Sequence, residues 1–180
     1  MYGEVHPLIA SVYQSQAELS LELGGIDKAY AEVDQAVSIR SMLLGDEHPD
    51  SVLSTVHMAN VSRLRMSFLE CHKTLENCIM LQHKKFDDSH PECLLTLLYL
   101  GINLLDMNKF SKARTILEKV VAAVLKVYGK FHAMSAIATA ALADTFQYES
   151  FYKVISSPPL IELLFILLHF YSRKPLSCMN

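Results

Sequence analysis

The chain has 180 residues, 51% of them apolar, and a net charge of −3. That is enough apolar material for a substantial core, and the slight acidic balance lacks the basic surplus or stripe a nucleic-acid interface needs. Cys71, Cys78, Cys93 and Cys178 show no disulfide-type spacing and no signal-peptide pattern opens the chain, so a reducing, cytoplasmic setting is expected.

Residues 1–5 read as the end of a preceding helix, because Tyr2-Gly3 fall in the positions that close later units. The chain is therefore expected to enter its pattern in mid-unit, as a fragment or isoform of something longer would. From there His6, His48, His90 and His132 stand 42 residues apart without an insertion. A fixed period in this range marks a repeat array. Other positions keep the same interval. Gly3, Gly45, Asp87 and Gly129 precede the histidines, and Pro7, Pro49 and Pro91 follow them, with Ala133 in the fourth place. Ala17, Ala59, Gly101 and Ala143 form a small-residue column, Ala29, Cys71 and Ala113 a second, and Ile26, Phe68, Phe110 and Tyr152 a bulky one.

Glycine suits the residue just past a helix end and proline the first turn of the next helix, so each Gly-x-x-His-Pro closes one helix and opens another. The periodicity predicts helices over about 8–23, 27–44, 50–65, 69–86, 92–107, 111–128 and 134–150. They pair as antiparallel hairpins, with small columns where helices approach closely and bulky ones between them. Pro158-Pro159 interrupt the fourth unit where its second helix should be in mid-course. The array is thus assigned to residues 1–152, with units starting near 6, 48, 90 and 132 and the last incomplete, and residues 153–180 to a divergent apolar tail. Its run Leu160–Tyr171 is too short for the ~20 residues that span a bilayer. Docking onto the exposed end of the array is the favoured reading, with a membrane or partner contact, or a splicing-derived terminus, as alternatives.

The run Leu44-Gly45-Asp46-Glu47-His48-Pro49-Asp50, Ala17, Gly24 leading into Ile26-Asp27-Lys28-Ala29, and the later Lys109-Phe110-Ser111-Lys112-Ala113 together resemble the tetratricopeptide-repeat family in its 42-residue form, found in kinesin light chains and nephrocystin-like proteins. The resemblance covers residues 1 to about 152. It implies an all-α, right-handed superhelical solenoid of antiparallel helix hairpins whose concave face, lined by the first helix of each unit, holds extended peptides or partner helices. It also implies a cytoplasmic location associated with cytoskeleton or cilium. The paired asparagines that grip a peptide backbone in kinesin-light-chain-like repeats are absent here, where the columns read Gln14-Ser15, Val56-His57, Leu98-Tyr99 and Ala140-Ala141.

Chemistry finds little support in the sequence. The four histidines fall on successive units, roughly 10 Å apart if helices pack normally, too far for one metal ion, so turn and capping roles are expected. Cys71 and Cys78 replace alanines of the small columns and read as helix-interface residues. No nucleophile elbow or phosphate-cradling loop appears, so neither enzyme activity nor a cofactor is expected.

Projecting the first-helix stripe gives Gln14, Glu18, His57, Asn60, Arg63, Tyr99, Ile102, Asp106, Asp144 and Gln147 as candidate groove residues. The middle is apolar through Leu95, Leu98, Tyr99 and Ile102, which suits an apolar peptide anchor or amphipathic helix; simple core packing is the competing account of these residues. The expected function is a non-catalytic scaffold or adaptor that binds a peptide or helix of a partner protein. The alternative is a structural module forming homo-oligomers through solenoid ends or the tail.

Overall fold

The computed structural model describes residues 6–155, with side chains through Tyr152. The expectations for residues 1–5 and for the run 160–171 lie outside this range. Within it stand seven α-helices and no strand: α1 (Pro7–Glu22), α2 (Ile26–Leu44), α3 (Pro49–Leu64), α4 (Phe68–Gln82), α5 (Pro91–Asp106), α6 (Phe110–Tyr128) and α7 (Ala133–Ile155). Each helix packs on the next in the chain. The first helices also meet one another, α3 with α5 and α5 with α7, whereas the second helices make no comparable contact. The array therefore curves with α1, α3, α5 and α7 on its inner side.

Two capped turns recur in register. Before α1, α3 and α5 the histidine Nδ1 accepts a hydrogen bond from the backbone N–H two residues on, Leu8, Asp50 and Glu92, at 3.1, 3.2 and 3.4 Å. His132 does the same for Met134 at 3.1 Å. An imidazole thus fills the N-cap place usually taken by Ser, Thr, Asp or Asn and satisfies one of the first-turn donors. Proline sits at the first helical position of α1, α3 and α5. The hairpin turns repeat equally closely. Gly24, Met66 and Asn108 adopt φ of 79°, 64° and 58°. The next N–H reaches back to Ser20, Ser62 and Leu104 carbonyls at 2.8, 3.0 and 2.9 Å, closing a Schellman motif in each unit.

Two departures from the sequence reading concern helix ends. α4 stops at Gln82 rather than near 86. Gly45 and Gly129 close their helices at φ 85° and 77°, but the matching Asp87 does not take that conformation. The chain leaves the helix earlier, with Lys84 and Phe86 N–H groups bonded to Leu81 and Gln82 carbonyls. α7 runs on through 150 to Ile155. Ser150 holds the place of Gly24, Met66 and Asn108 yet stays helical, its hydroxyl donating to the Phe146 and Gln147 carbonyls at 2.9 Å. Tyr152 consequently lies within α7 instead of opening a new helix, and its ring meets Phe110, one repeat earlier, at 5.6 Å.

The core is a chain of clusters along the array. Ala17, Ala29, Val33 and Val61 form one seam, Val56, Ala59, Cys71, Leu75 and Leu104 the next, and Leu94, Leu98, Leu117, Val120 and Val124 a third. Cys71 and Cys78 are buried in helix interfaces as expected, and desolvation pushes their thiols up to about 11 and about 12. At Gly101 a Cβ would come within 2.6 Å of Leu117 Cδ2 and 2.7 Å of its Cγ. Leu117 is wholly buried, so it cannot swing away. Gly101→Ala should therefore cost about 1 kcal/mol net, overpacking outweighing the ~1 kcal/mol helix-propensity gain. Made in a Leu117→Ala background, itself costing about 2–5 kcal/mol, the same change should become stabilising. Urea unfolding of the four proteins checks the sign reversal.

Candidate functional site

The inner surface is built from one face of each first helix, and its middle section is knitted by polar side chains from neighbouring units. Arg63 on α3 reaches across to α5 and binds Asp106 Oδ2 at 2.7 Å, while its Nε donates to Asn60 Oδ1 at 3.2 Å. Three of the sequence-predicted groove residues are thus joined in one network, with Arg63 and Asp106 side chains only 18% and 32% exposed. Held this way, Arg63 serves first as a brace between units.

Around this brace lie His57, Tyr99 and Glu18. His57 and Tyr99 are half-buried and Glu18 is exposed on α1. Burial lowers the His57 pKa from its ordinary 6.5, opposed by the Glu18 carboxylate and reinforced by Arg40. Burial likewise raises the Tyr99 phenol, with Arg63 acting against it and Glu18 with it. These mutual influences place Glu18, Arg63 and Tyr99 in one electrostatic neighbourhood, spanning α1, α3 and α5. Gln14 is half-buried on α1, Ile102 packs partly against the Leu94–Leu98 seam, and Asp144 and Gln147 stand exposed on α7. The last two flank the central group and do not join it. Leu98, expected to line the groove, is instead 1% exposed beneath α6 and belongs to the core. Core packing is thus the right account of that residue, while Tyr99, one position on, keeps an open edge.

Arg40 is the residue the sequence reading missed. It lies on α2, a second helix, yet its guanidinium passes between α1 and α3 to bind Gln14 Oε1 at 2.6 Å and Ser54 Oγ. Gln82 and Val124 occupy its place in later units, and Gln82 is buried with both amide atoms unpaired. The only advance sign was that one place in the second helix reads Arg, Gln, Val along the repeat, while the place before it stays apolar as Ile39, Leu81 and Ala123. Charged side chains of the first two units also pair across their junction. Arg65 binds Asp27 at 2.9 Å and covers the Tyr30 ring at 4.4 Å, and Lys84 binds Glu47 at 3.1 Å. Among the described residues no group of three His, Cys, Asp or Glu side chains could hold a metal ion, and no helix is long and apolar enough to cross a membrane.

Comparison with known proteins agrees with this architecture. Residues 93–133 match the tetratricopeptide repeat family model. No curated protein matches the chain in sequence. Among solved structures, one described as a kinesin light chain with nearly identical TPR-like repeats, from Podosopora anserina, superimposes with TM-score 0.71 at 22% identity, over 96% of this chain and 79% of that one. BtubC (BKLC) from P. vanneervenii gives 0.68 at 14% identity, over 99% and 72%. The chain has the fold of a tetratricopeptide-repeat solenoid. Within that class it resembles the kinesin-light-chain-like repeats, and tetratricopeptide repeats generally mediate contacts between proteins.

The lowered His57 pKa carries a pH signature. Above pH 6.5 the ring is neutral whether folded or unfolded and contributes nothing. Below it the unfolded chain takes up the proton before the folded one does, so stability falls with acidification until the folded pKa is passed. Chemical denaturation from pH 7.5 down to about 5 should show a smaller loss for His57→Gln than for the wild type, with parallel curves above pH 7.

Proposed function

We propose that the protein is a non-catalytic interaction scaffold that receives a peptide or helix of a partner protein along its inner face. The observation that carries this reading is the composition of the central groove. A half-buried tyrosine and histidine sit beside an exposed carboxylate and a braced arginine, ring faces with fixed polar groups around them. Such a surface gives a partner an apolar anchoring place and several hydrogen-bond partners at once. Tyr99, His57 and Asn60 are the residues we assign to the contact, with Glu18 and Gln14 to one side and Asp144 and Gln147 to the other. Arg63 holds the site open through Asp106 as well as facing it. The setting we infer is cytoplasmic, with cytoskeletal or ciliary association following from the resemblance.

A second reading, assembly between copies, draws on the outer side of α1. Val12 and Leu19 are 55% and 56% exposed, whereas Ser54, Thr96 and Ala138, and Val61, Asn103 and Thr145, at the same places in later units, are all buried. That side of α1 is shaped to be covered by another helix.

Peptides selected from a display library on the wild-type protein provide the test. The Tyr99→Ala, His57→Ala double variant should bind them at least about tenfold more weakly, or ~1.4 kcal/mol, with unchanged helical circular dichroism. Undiminished binding, or selected peptides that compete with a charge placed on the outer face at Val12 rather than with the groove changes, would remove the groove from the account.

A further inference from the structure

We propose that residues 160–171 cover the open side of α7, in the place that second helices take in the earlier units. In each complete unit the first helix presents three places to its own second helix. These are Ala10, Ala17 and Ser20 on α1, Val52, Ala59 and Ser62 on α3, and Leu94, Gly101 and Leu104 on α5, every one of them buried. The corresponding Ala136, Ala143 and Phe146 on α7 are exposed, Phe146 by 49%. The stripe continues through Ala140 and, past the exposed Gln147 and Ser150, to Phe151. An apolar strip of this length stays in water only at a continuing cost, about 25 cal/mol per Å² of surface that a cover would remove.

The chemistry of the strip says what fits it. α5 has Leu94 and Leu98 where α7 has Ala136 and Ala140, so the strip is shallower than its counterpart and calls for large side chains from the other side. The fit of Leu117 over Gly101 shows the same complementarity one unit earlier. The run Leu160-Ile161-Glu162-Leu163-Leu164-Phe165-Ile166-Leu167-Leu168-His169-Phe170-Tyr171 supplies ten large apolar side chains in 12 residues. It follows α7 after four residues, 156–159, close to the three-residue turns Leu23–Gly25, Arg65–Ser67 and Met107–Lys109 of the earlier units. Pro158-Pro159 disfavour a helix continued unbroken from α7 into the run. A tether this short holds the run at an effective concentration on the order of mM, which favours its own chain over a second copy.

The chain has no tryptophan, so Phe165→Trp in the full-length protein reports on the run alone. The expected result is blue-shifted emission, protected from acrylamide and independent of protein concentration. Adding Ala140→Asp and Ala143→Asp on α7, or separately Phe146→Gln, should shift the emission to the red and restore quenching, while circular dichroism keeps the helical signal of the array. Solvent-like emission in the unaltered background overturns the proposal. So does a blue shift indifferent to the α7 changes, one lost on dilution to monomer, or one appearing only with phosphatidylcholine vesicles.

Discussion

A hairpin of two short helices cannot bury both of its apolar faces by itself, and the described array depends on that constraint. Each unit is completed by the next, so the angle and rise between units must stay constant. Two short-range devices hold them constant. One is the histidine whose Nδ1 caps the first helix. The other is the left-handed residue that closes the hairpin turn. With both ends of each hairpin fixed, the small residues meet the large ones without search, as Gly101 meets Leu117. The inner groove is a by-product of this stacking, since the side where first helices touch must be the shorter side of the curve.

Electrostatics then decides what that groove can offer. Much of the charge that looks free in the sequence is engaged between units: Arg63 with Asp106, Arg65 with Asp27 and Tyr30, Arg114 with Glu149. The Arg65–Tyr30 contact and the Arg114–Glu149 pair occupy equivalent places two units apart, with the arginine moved from the first helix to the second. The place is retained as a junction while the chemistry filling it changes. What stays available to a partner is mainly half-buried or neutral, His57, Tyr99 and Gln14, with the Glu18 carboxylate at one margin.

Features governed by local rules were legible in the sequence. The histidine-proline starts, the glycine stops and the small columns each follow from one or two residues and their neighbours, and these places in the structure agree with them. Features decided by competition between distant parts were not. The early end of α4 turns on Asp87 declining a conformation that glycine takes freely. The length of α7 turns on Ser150 satisfying itself within the helix. Leu98 and Tyr99 are adjacent in a stripe, and only the position of α6 puts one in the core and leaves the other at the groove. Arg40 escaped notice because its side chain works on the far side of the hairpin from the helix that carries it.

The central claim is that the 42-residue interval itself sets the stacking. Removing residues 49–90, one whole period that joins His48 directly to Pro91, tests it most directly when compared with removal of four fewer residues from the same place. The account predicts that the full-period deletion keeps helicity in proportion to its length and unfolds in one cooperative transition, while the shorter deletion loses both. Equal cooperativity in the two deletions would contradict it.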